Sequence, residues 1–135
     1  MEIETVIYME PVGKARARTV KLKKGDKTVS FTPDPTAHAE NLIRDHLMKL
    51  KQKFEAGIPL RVVLIFHVAR PRSIKKREFP TTKPDLDNCI KLCLDAMNRY
   101  VFADDNQVTM LVAFKRYCLP GQVPRIELRI TEEKL

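Results

Sequence analysis

The run Lys83-Pro84-Asp85-Leu86-Asp87-Asn88, with Lys91 one helical turn on and Asp104-Asp105 beyond the helix, contains the residues of this chain whose types and spacing could do chemistry. Asp85 and Asp87 bracket one residue at an expected helix start, so both carboxylates can reach one volume beside the positive end of the helix dipole. Carboxylates gathered in this way repel one another unless a cation intervenes. Mg²⁺ suits such a place, because it prefers oxygen ligands and completes its octahedron with water and substrate phosphate. Aspartates without neighbouring His or Cys therefore point to Mg²⁺, with Mn²⁺ as the second choice, over zinc. The chain as a whole carries a formal net charge of +8. An acidic pocket in a basic protein implies metal-assisted chemistry on phosphate.

Each acid also has an ordinary structural use. Asp is among the best helix N-caps, which would account for Asp85 alone. Asp87 and Lys91 form an acid-base pair one turn apart, worth a few tenths of a kcal/mol on any helix. Asp104-Asp105-Asn106 is good turn chemistry before a strand. The case for function rests on their combination. A calcium loop would need an acidic or amide side chain at 89 and glycine at 90, where this chain has Cys89 and Ile90. A phosphatase-type Asp-x-Asp at a strand end would follow an apolar run, and here Pro80-Thr81-Thr82-Lys83-Pro84 precedes it.

The positive charge is concentrated. Residues 14–27 and 70–83 together hold 13 basic and 2 acidic side chains, a net of +11, leaving 12 basic and 15 acidic groups for the rest of the chain. One such run is most simply a solvated loop. Two in a small protein favour a nucleic acid partner, since neutralising phosphates releases counterions and supplies most sequence-independent affinity. Lys14, Arg16, Arg18, Arg72, Lys75, Lys76, Arg77 and Lys83 are the candidate DNA contacts. They are expected to hold phosphates and not to read bases.

At 135 residues, 44% hydrophobic and 31% charged, the chain is expected to form one domain, 1–135, with a real core. No apolar run approaches the roughly 20 residues that span a bilayer. The N-terminus lacks the basic and apolar regions of a secretory signal, so a soluble, cytoplasmic protein is expected. Cys89 and Cys93 sit four apart on the apolar side of an expected helix and read as reduced core residues. His38, His46 and His67 lack zinc-type spacing, and His46 reads as a packed core histidine.

Several elements must position these residues. Thr5 to Met9 reads as a strand ended by Pro11 and Gly13, and the segments around Gly25-Asp26 read as a hairpin. Asp34-Pro35 opens an amphipathic helix expected over 36–55. Leu60 to Val68 alternates, but its second set of residues is also mostly apolar, which predicts a strand covered on both faces. Pro71 to Pro84 is a long basic loop. The next helix is expected from Leu86 to Tyr100, with Leu86, Ile90, Cys93, Leu94 and Met97 as its buried stripe and Asp87, Lys91 and Asp95 on a separate face. Val108 to Tyr117 and Arg125 to Ile130 read as strands joined in a hairpin through Pro120-Gly121. The order implies an α/β (α+β) fold, a mixed sheet with two helices packed against it.

At these residues the chain resembles the RusA-type Holliday junction resolvases, endodeoxyribonucleases common in phages and prophages. The likeness lies in Lys83 to Asn88, Lys91, Asp95-Ala96, Asp104-Asp105, Gln107-Val108 and the stretch from Arg125 to Thr131. It extends more loosely to Pro11 through Arg18 and to Phe31-Thr32-Pro33. The resemblance implies a homodimer that binds four-way DNA junctions and makes paired nicks with Mg²⁺ or Mn²⁺, in recombination and repair. It also implies that Asp85, Asp87 and Asp105 are metal ligands and that Lys91 is the catalytic lysine; Asp104 lies beside this set. The segment before the motif departs from a simple arginine run, since Pro84 stands directly before Asp85. The alternative to a nuclease is a branched-DNA-binding module that does not cut.

Overall fold

Leu60 to Val68 decides the architecture. Its nine residues form strand β4, in which Leu60, Val62, Leu64, Phe66 and Val68 are buried while Arg61 is exposed. The computed structural model describes residues 1–15, 18–21, 28–31, 34–74 and 76–135. β1 (Glu2–Ile7), β4, β5 (Val108–Tyr117) and β6 (Arg125–Glu132) form a four-stranded sheet of order β1-β6-β4-β5. β5 runs parallel to β4, whereas β6 is antiparallel to both β4 and β1, so the sheet is mixed. The expected hairpin of the last two strands is therefore incorrect, because β4 lies between them. Free of Pro and Gly and apolar on both faces, β4 takes the centre, where both of its edges are paired. The Cys118–Pro124 connection crosses its end and turns at Gly121, whose φ of +81° is in the region open to glycine.

Parallel pairing of β4 with β5 requires a crossover. The basic loop and helix α2 (Leu86–Met97) supply it. The start of α2 thus falls beyond the carboxyl end of β4, the kind of place where α/β sheets bind ligands.

Helix α1 (Asp34–Lys49) packs beside α2. Ala39, Ile43 and Leu47 of α1 and Cys89, Leu92, Cys93, Ala96 and Met97 of α2 join Ile3, Ile7, Ile126, Leu128 and Ile130 in one core. Both helices lie on the same face of the sheet. On the other face Val63, Ile65 and His67 are only half-buried, by neighbouring strands, so the expectation that β4 is covered on both sides does not hold.

Other boundaries moved as well. α1 stops at Lys49 and not near 55, because Lys51 adopts a left-handed φ of 52°. Phe54 is buried outside the helix, its N–H donating to Val101 O at 2.8 Å. α2 ends at Met97, with Asn98 as its C-cap. Its buried stripe is rotated from the expected one: Cys89, Leu92, Cys93, Ala96 and Met97 face inward, Cys93 and Met97 as expected, and Leu86, Ile90 and Leu94 flank them. Both cysteines are free thiols. Burial pushes the Cys89 thiol up to about 11 and raises that of Cys93 as well. His46 Nε2 meets Thr5 Oγ1 at 2.7 Å, consistent with a satisfied structural histidine.

β2 (Arg18–Lys21) and β3 (Thr28–Phe31) pair antiparallel with Arg18 opposite Phe31, which fixes the hairpin register. Its expected tip at Gly25-Asp26 lies outside the described residues, as do Arg16 and Lys75. No described helix is long and apolar enough to cross a membrane.

Candidate active site

Asp85 stands at the N-cap of α2 with φ −70° and ψ 138°, and its carboxylate makes no capping hydrogen bond. Its carbonyl does begin the helix, accepting from Cys89 N at 3.0 Å. Capping therefore does not explain the side chain. Asp87 Oδ1 accepts from Asn88 N at 2.9 Å, and both carboxylates are exposed. The segment that delivers them is held by Lys115 of β5, whose Nζ donates to Thr82 O and Pro84 O at 2.8 Å each. The Lys83–Pro84 peptide between them is cis. On the other side, Lys14 N donates to Asn88 O at 2.9 Å, and Gly13 lies so close that a Cβ there would be 2.9 Å from Asn88 Cβ. A cleft of about 430 Å³ lies between Pro11–Ala15 and Lys83–Asp85.

Lys14, expected among the DNA contacts, is committed within the protein. Its Nζ lies 2.7 Å from Glu40 Oε1 and 3.1 Å from Asp95 Oδ2. Burial alone would lower its pKa, but the hydrogen bonds and charges of Glu40 and Asp95 outweigh that and raise it. Lys14 thus joins the cleft wall to both helices. Arg44 reinforces the junction, donating to Asp95 O and Ala96 O and lying over the Tyr100 ring. The backbone of Arg18 belongs to β2. Arg72, Lys76 and Arg77 are exposed in the basic loop, and Lys83 is exposed at the cleft.

The second pair of acids sits at the far end of α2. Asp104 caps a 3₁₀ turn, Asp105–Gln107, by accepting from Asn106 N at 3.1 Å. Here the turn-chemistry reading of Asp104 is correct. Gln107 is buried; its Oε1 accepts from Ala103 N and Asp104 N, and its Nε2 donates to Glu55 O and Ile58 O. Asn98 Oδ1 accepts from Asp105 N at 3.2 Å and ties the turn to α2. The Asp105 carboxyl is held above its ordinary range because its protonated form donates a side-chain hydrogen bond to Asp104, with slight burial and the charges of Asp104 and Asp95 adding, while Lys91 partly offsets them.

One face of α2 is thus headed by Asp85 and Asp87, carries Lys91 at its middle and meets Asp105 beside Asp95. No ion pair closes Asp87 onto Lys91 within 4.0 Å, so the helix-stabilising account of that pair fails. Among the described residues, no three His, Cys, Asp or Glu side chains converge closely enough to hold an ion by themselves. The acids instead form two pairs, Asp85 with Asp87 and Asp104 with Asp105. An all-oxygen donor set fits Mg²⁺, which commonly takes one or two carboxylates and fills the remaining positions with water and phosphate.

A raised carboxyl pKa in the folded state costs stability wherever the group is ionised, and the cost disappears as pH falls through that pKa. Asp105→Asn should therefore melt at a higher temperature than the parent near pH 7 without divalent ions, with the gap closing in acid. Thermal melts across pH test this; equal melting temperatures at pH 7 would show that the crowding is relieved in another way.

The family model of Endodeoxyribonuclease RusA matches residues 9–131. This chain belongs to the RusA family. It is 32% identical, over 96% of both chains, to the Uncharacterized protein YqaN of Bacillus subtilis (strain 168). It is 34% identical to the Crossover junction endodeoxyribonuclease rusA of Lactococcus phage r1t, over 67% of this chain and 69% of the phage protein. The RusA match covers the cleft, α2 and the 3₁₀ turn, and makes the chain an endodeoxyribonuclease.

Sequence reasoning about this RusA chain missed Lys115, and it named Gly13 and Gln107 without the close approach and the buried hydrogen bonds that they make. Gln107 and Gly13 act through backbone groups and close approach, which leave little trace in residue type. A lysine on an otherwise apolar strand was the available signal for Lys115. The buried Cys89 thiol feels Lys115, Asp85 and Asp87 together, which places the ammonium in the neighbourhood of both carboxylates. Lys115→Met leaves two carbonyls without their donor and should loosen Asp85. Its half-activating Mg²⁺ concentration should rise about tenfold, the equivalent of roughly one hydrogen bond from a charged donor. A Mg²⁺ titration of cleavage would measure the shift, and an unchanged midpoint would confine Lys115 to packing.

Proposed function

We propose that this endonuclease is Mg²⁺-dependent and structure-selective, resolving four-way (Holliday) DNA junctions by paired symmetric nicks in recombination and repair. The observation that carries the reading is the Asp85/Asp87 pair, exposed and unused for capping at the head of the crossover helix. The phage relative's name supplies the junction substrate. Asp85, Asp87 and Asp105 would hold Mg²⁺, or Mn²⁺ in its place, which when bound neutralises charge on a phosphoryl oxygen and makes water a better nucleophile. The N–H groups of Leu86 and Asp87 in the first turn of α2, which the Asp85 side chain does not cap, are donors available to a phosphate oxygen, whereas that of Asn88 is taken by Asp87. Lys91 stabilises charge developing on the phosphate. Lys115 and Lys14 position the segments that carry the acids. Arg16, Arg18, Arg72, Lys75, Lys76, Arg77 and Lys83 hold the DNA backbone, and the setting is the cytoplasm of a host or lysogen.

Paired nicks of like polarity across a branch point require two active sites, which an isologous C₂ dimer provides. Two alternative surfaces could meet the second copy: the end of β1 near Tyr8, or β5 from Leu111 to Phe114, at opposite edges of the sheet and each with exposed apolar side chains. The test compares a supercoiled cruciform, a synthetic junction and linear duplex, each with and without Mg²⁺, alongside sedimentation at micromolar protein. A dimer that makes both nicks within one binding lifetime is expected. A stable monomer, or circles nicked once and released, would defeat the resolvase reading. Tight junction binding without cutting would favour the non-cutting module.

A further inference from the structure

A second cavity, of about 340 Å³, opens where β4 and β5 end and β6 begins, lined in part by His67, Arg70, Glu78, Arg116, Tyr117 and Arg125. In the parallel register Phe66 pairs with Lys115 and His67 with Arg116. Successive strand residues point to opposite faces. Lys115 reaches the segment before Asp85, so Arg116 points away from the catalytic helix while Tyr117 points toward it, and the cavity wraps the end of the sheet between them. None of its lining residues lines the cleft beside Asp85, so a phosphate held there is not the one being cut.

The cavity's cations divide into two kinds. Arg125 Nε donates to Glu127 Oε1 at 3.1 Å, so this cation is compensated internally; His67 Nε2, 3.3 Å from the same oxygen, makes no hydrogen bond to it. Arg70 and Arg116 are not compensated. The Arg70 guanidinium lies 4.5 Å from the Tyr117 ring centroid and donates to Arg77 O. The Arg116 guanidinium lies 5.2 Å from the Phe79 ring and 5.1 Å from the Phe114 ring, and it donates to Lys115 O. Neither has a carboxylate within 4.0 Å among the described residues. Aromatic stacking orients a guanidinium without consuming its N–H donors, and a planar guanidinium with free donors matches phosphate geometry.

The charge balance is specific too. Two uncompensated arginines against Glu78 leave about one positive charge, which a single phosphodiester neutralises. Beneath them the Tyr117 hydroxyl is buried without a hydrogen-bond partner, an arrangement that native proteins rarely leave unresolved. Oxygen-rich ligand, or water carried in with it, would supply one.

We propose that Arg70 and Arg116 form a phosphodiester-binding site at the end of the sheet where β4 and β5 stop, separate from the Asp85 cleft and holding substrate backbone away from the cut. This rests on the reading that the substrate is DNA. The test uses the full chain and a synthetic four-way junction, with affinity measured across a salt series without divalent ion. The Arg70→Gln/Arg116→Gln double variant should bind at least about tenfold more weakly at moderate salt, with the slope of log K against log salt reduced by about 0.9, the loss of one phosphate contact. Single-turnover cleavage at saturating protein should stay within about twofold of the parent. Arg129→Gln removes one exposed charge elsewhere on the sheet face that carries Arg116 and should leave the slope unchanged. If the double variant melts early, Arg116→Lys, which keeps the charge, should retain the parental slope and Arg70→Gln alone should lower it, by up to about 0.9.

Parental affinity and slope in the folded variants would overturn the site, as would an equal loss in Arg129→Gln. A parent that binds junctions without cutting would sink the nuclease proposal and leave this one standing. A cutting parent indifferent to both arginines would do the reverse.

Discussion

Asp85→Asn and Asp87→Asn should each cut a four-way junction roughly 10³-fold more slowly than the parent, while binding it as tightly or more so. A metal ligand contributes several kcal/mol to a phosphoryl transition state, and each 1.36 kcal/mol is a factor of ten in rate. The substitution is nearly isosteric and removes only charge. Neither carboxylate caps α2 nor closes an ion pair with Lys91, so little native structure depends on its charge. Loss of a negative charge beside a bound phosphate relieves repulsion, which is why affinity should hold or improve. Single-turnover cleavage together with binding measured without divalent ion separates the two effects. A variant that melts normally and cuts at the parental rate would remove that aspartate from the site. Weakened binding with parental cutting would make it a DNA contact.

The carboxylates were legible in the sequence because their spacing relative to a helix start is a local property. Asp85, Leu86 and Asp87 are consecutive, and a polar, proline-bounded segment followed by an apolar periodicity marks where the helix begins. The free-thiol core role of Cys89 and Cys93 was legible for the same reason. Pairings between distant segments were less so. The strand order could not be read from a Pro120-Gly121 turn, since a turn shows that the chain reverses and not what lies between its arms; β4 is what inserts there. The end of α1 was missed because Lys51-Gln52-Lys53 are good helix formers, and burial of Phe54 against Val101 overrides their propensity. The rotation of the α2 stripe had a similar origin. Hydrophobicity favours Leu86, Ile90 and Leu94, whereas packing against α1 and the sheet buries Cys89, Leu92 and Ala96 beside the expected Cys93 and Met97. At the site, a charge run in sequence did not distinguish Lys14, engaged by Glu40 and Asp95, from the exposed Arg72, Lys76 and Arg77.

Lys91→Ala should fold, bind junctions within a fewfold of the parent and cut them on the order of 10² to 10³-fold more slowly, the cost of deleting one positioned electrostatic stabiliser. The competing account gives Lys91 a structural duty as the partner of Asp87, and would have the variant melt early. The open Asp87–Lys91 spacing argues against that duty. Lys91 has a second effect that a packing role would not produce, because its ammonium lowers the Asp105 carboxyl against the raising influence of Asp104 and Asp95. Removing it should shift the Asp105 titration to higher pH in the metal-free protein, a change that carboxyl NMR reads independently of catalysis. Lys91→Arg keeps the charge and should restore the Asp105 titration. Because a bulkier guanidinium displaces the point charge that faces the phosphate, it should recover cutting only in part. An Asp105 titration identical in Lys91→Ala and the parent would place the ammonium out of reach of this carboxylate. Lys91 would then have to act, if at all, at the Asp85/Asp87 end of the helix alone.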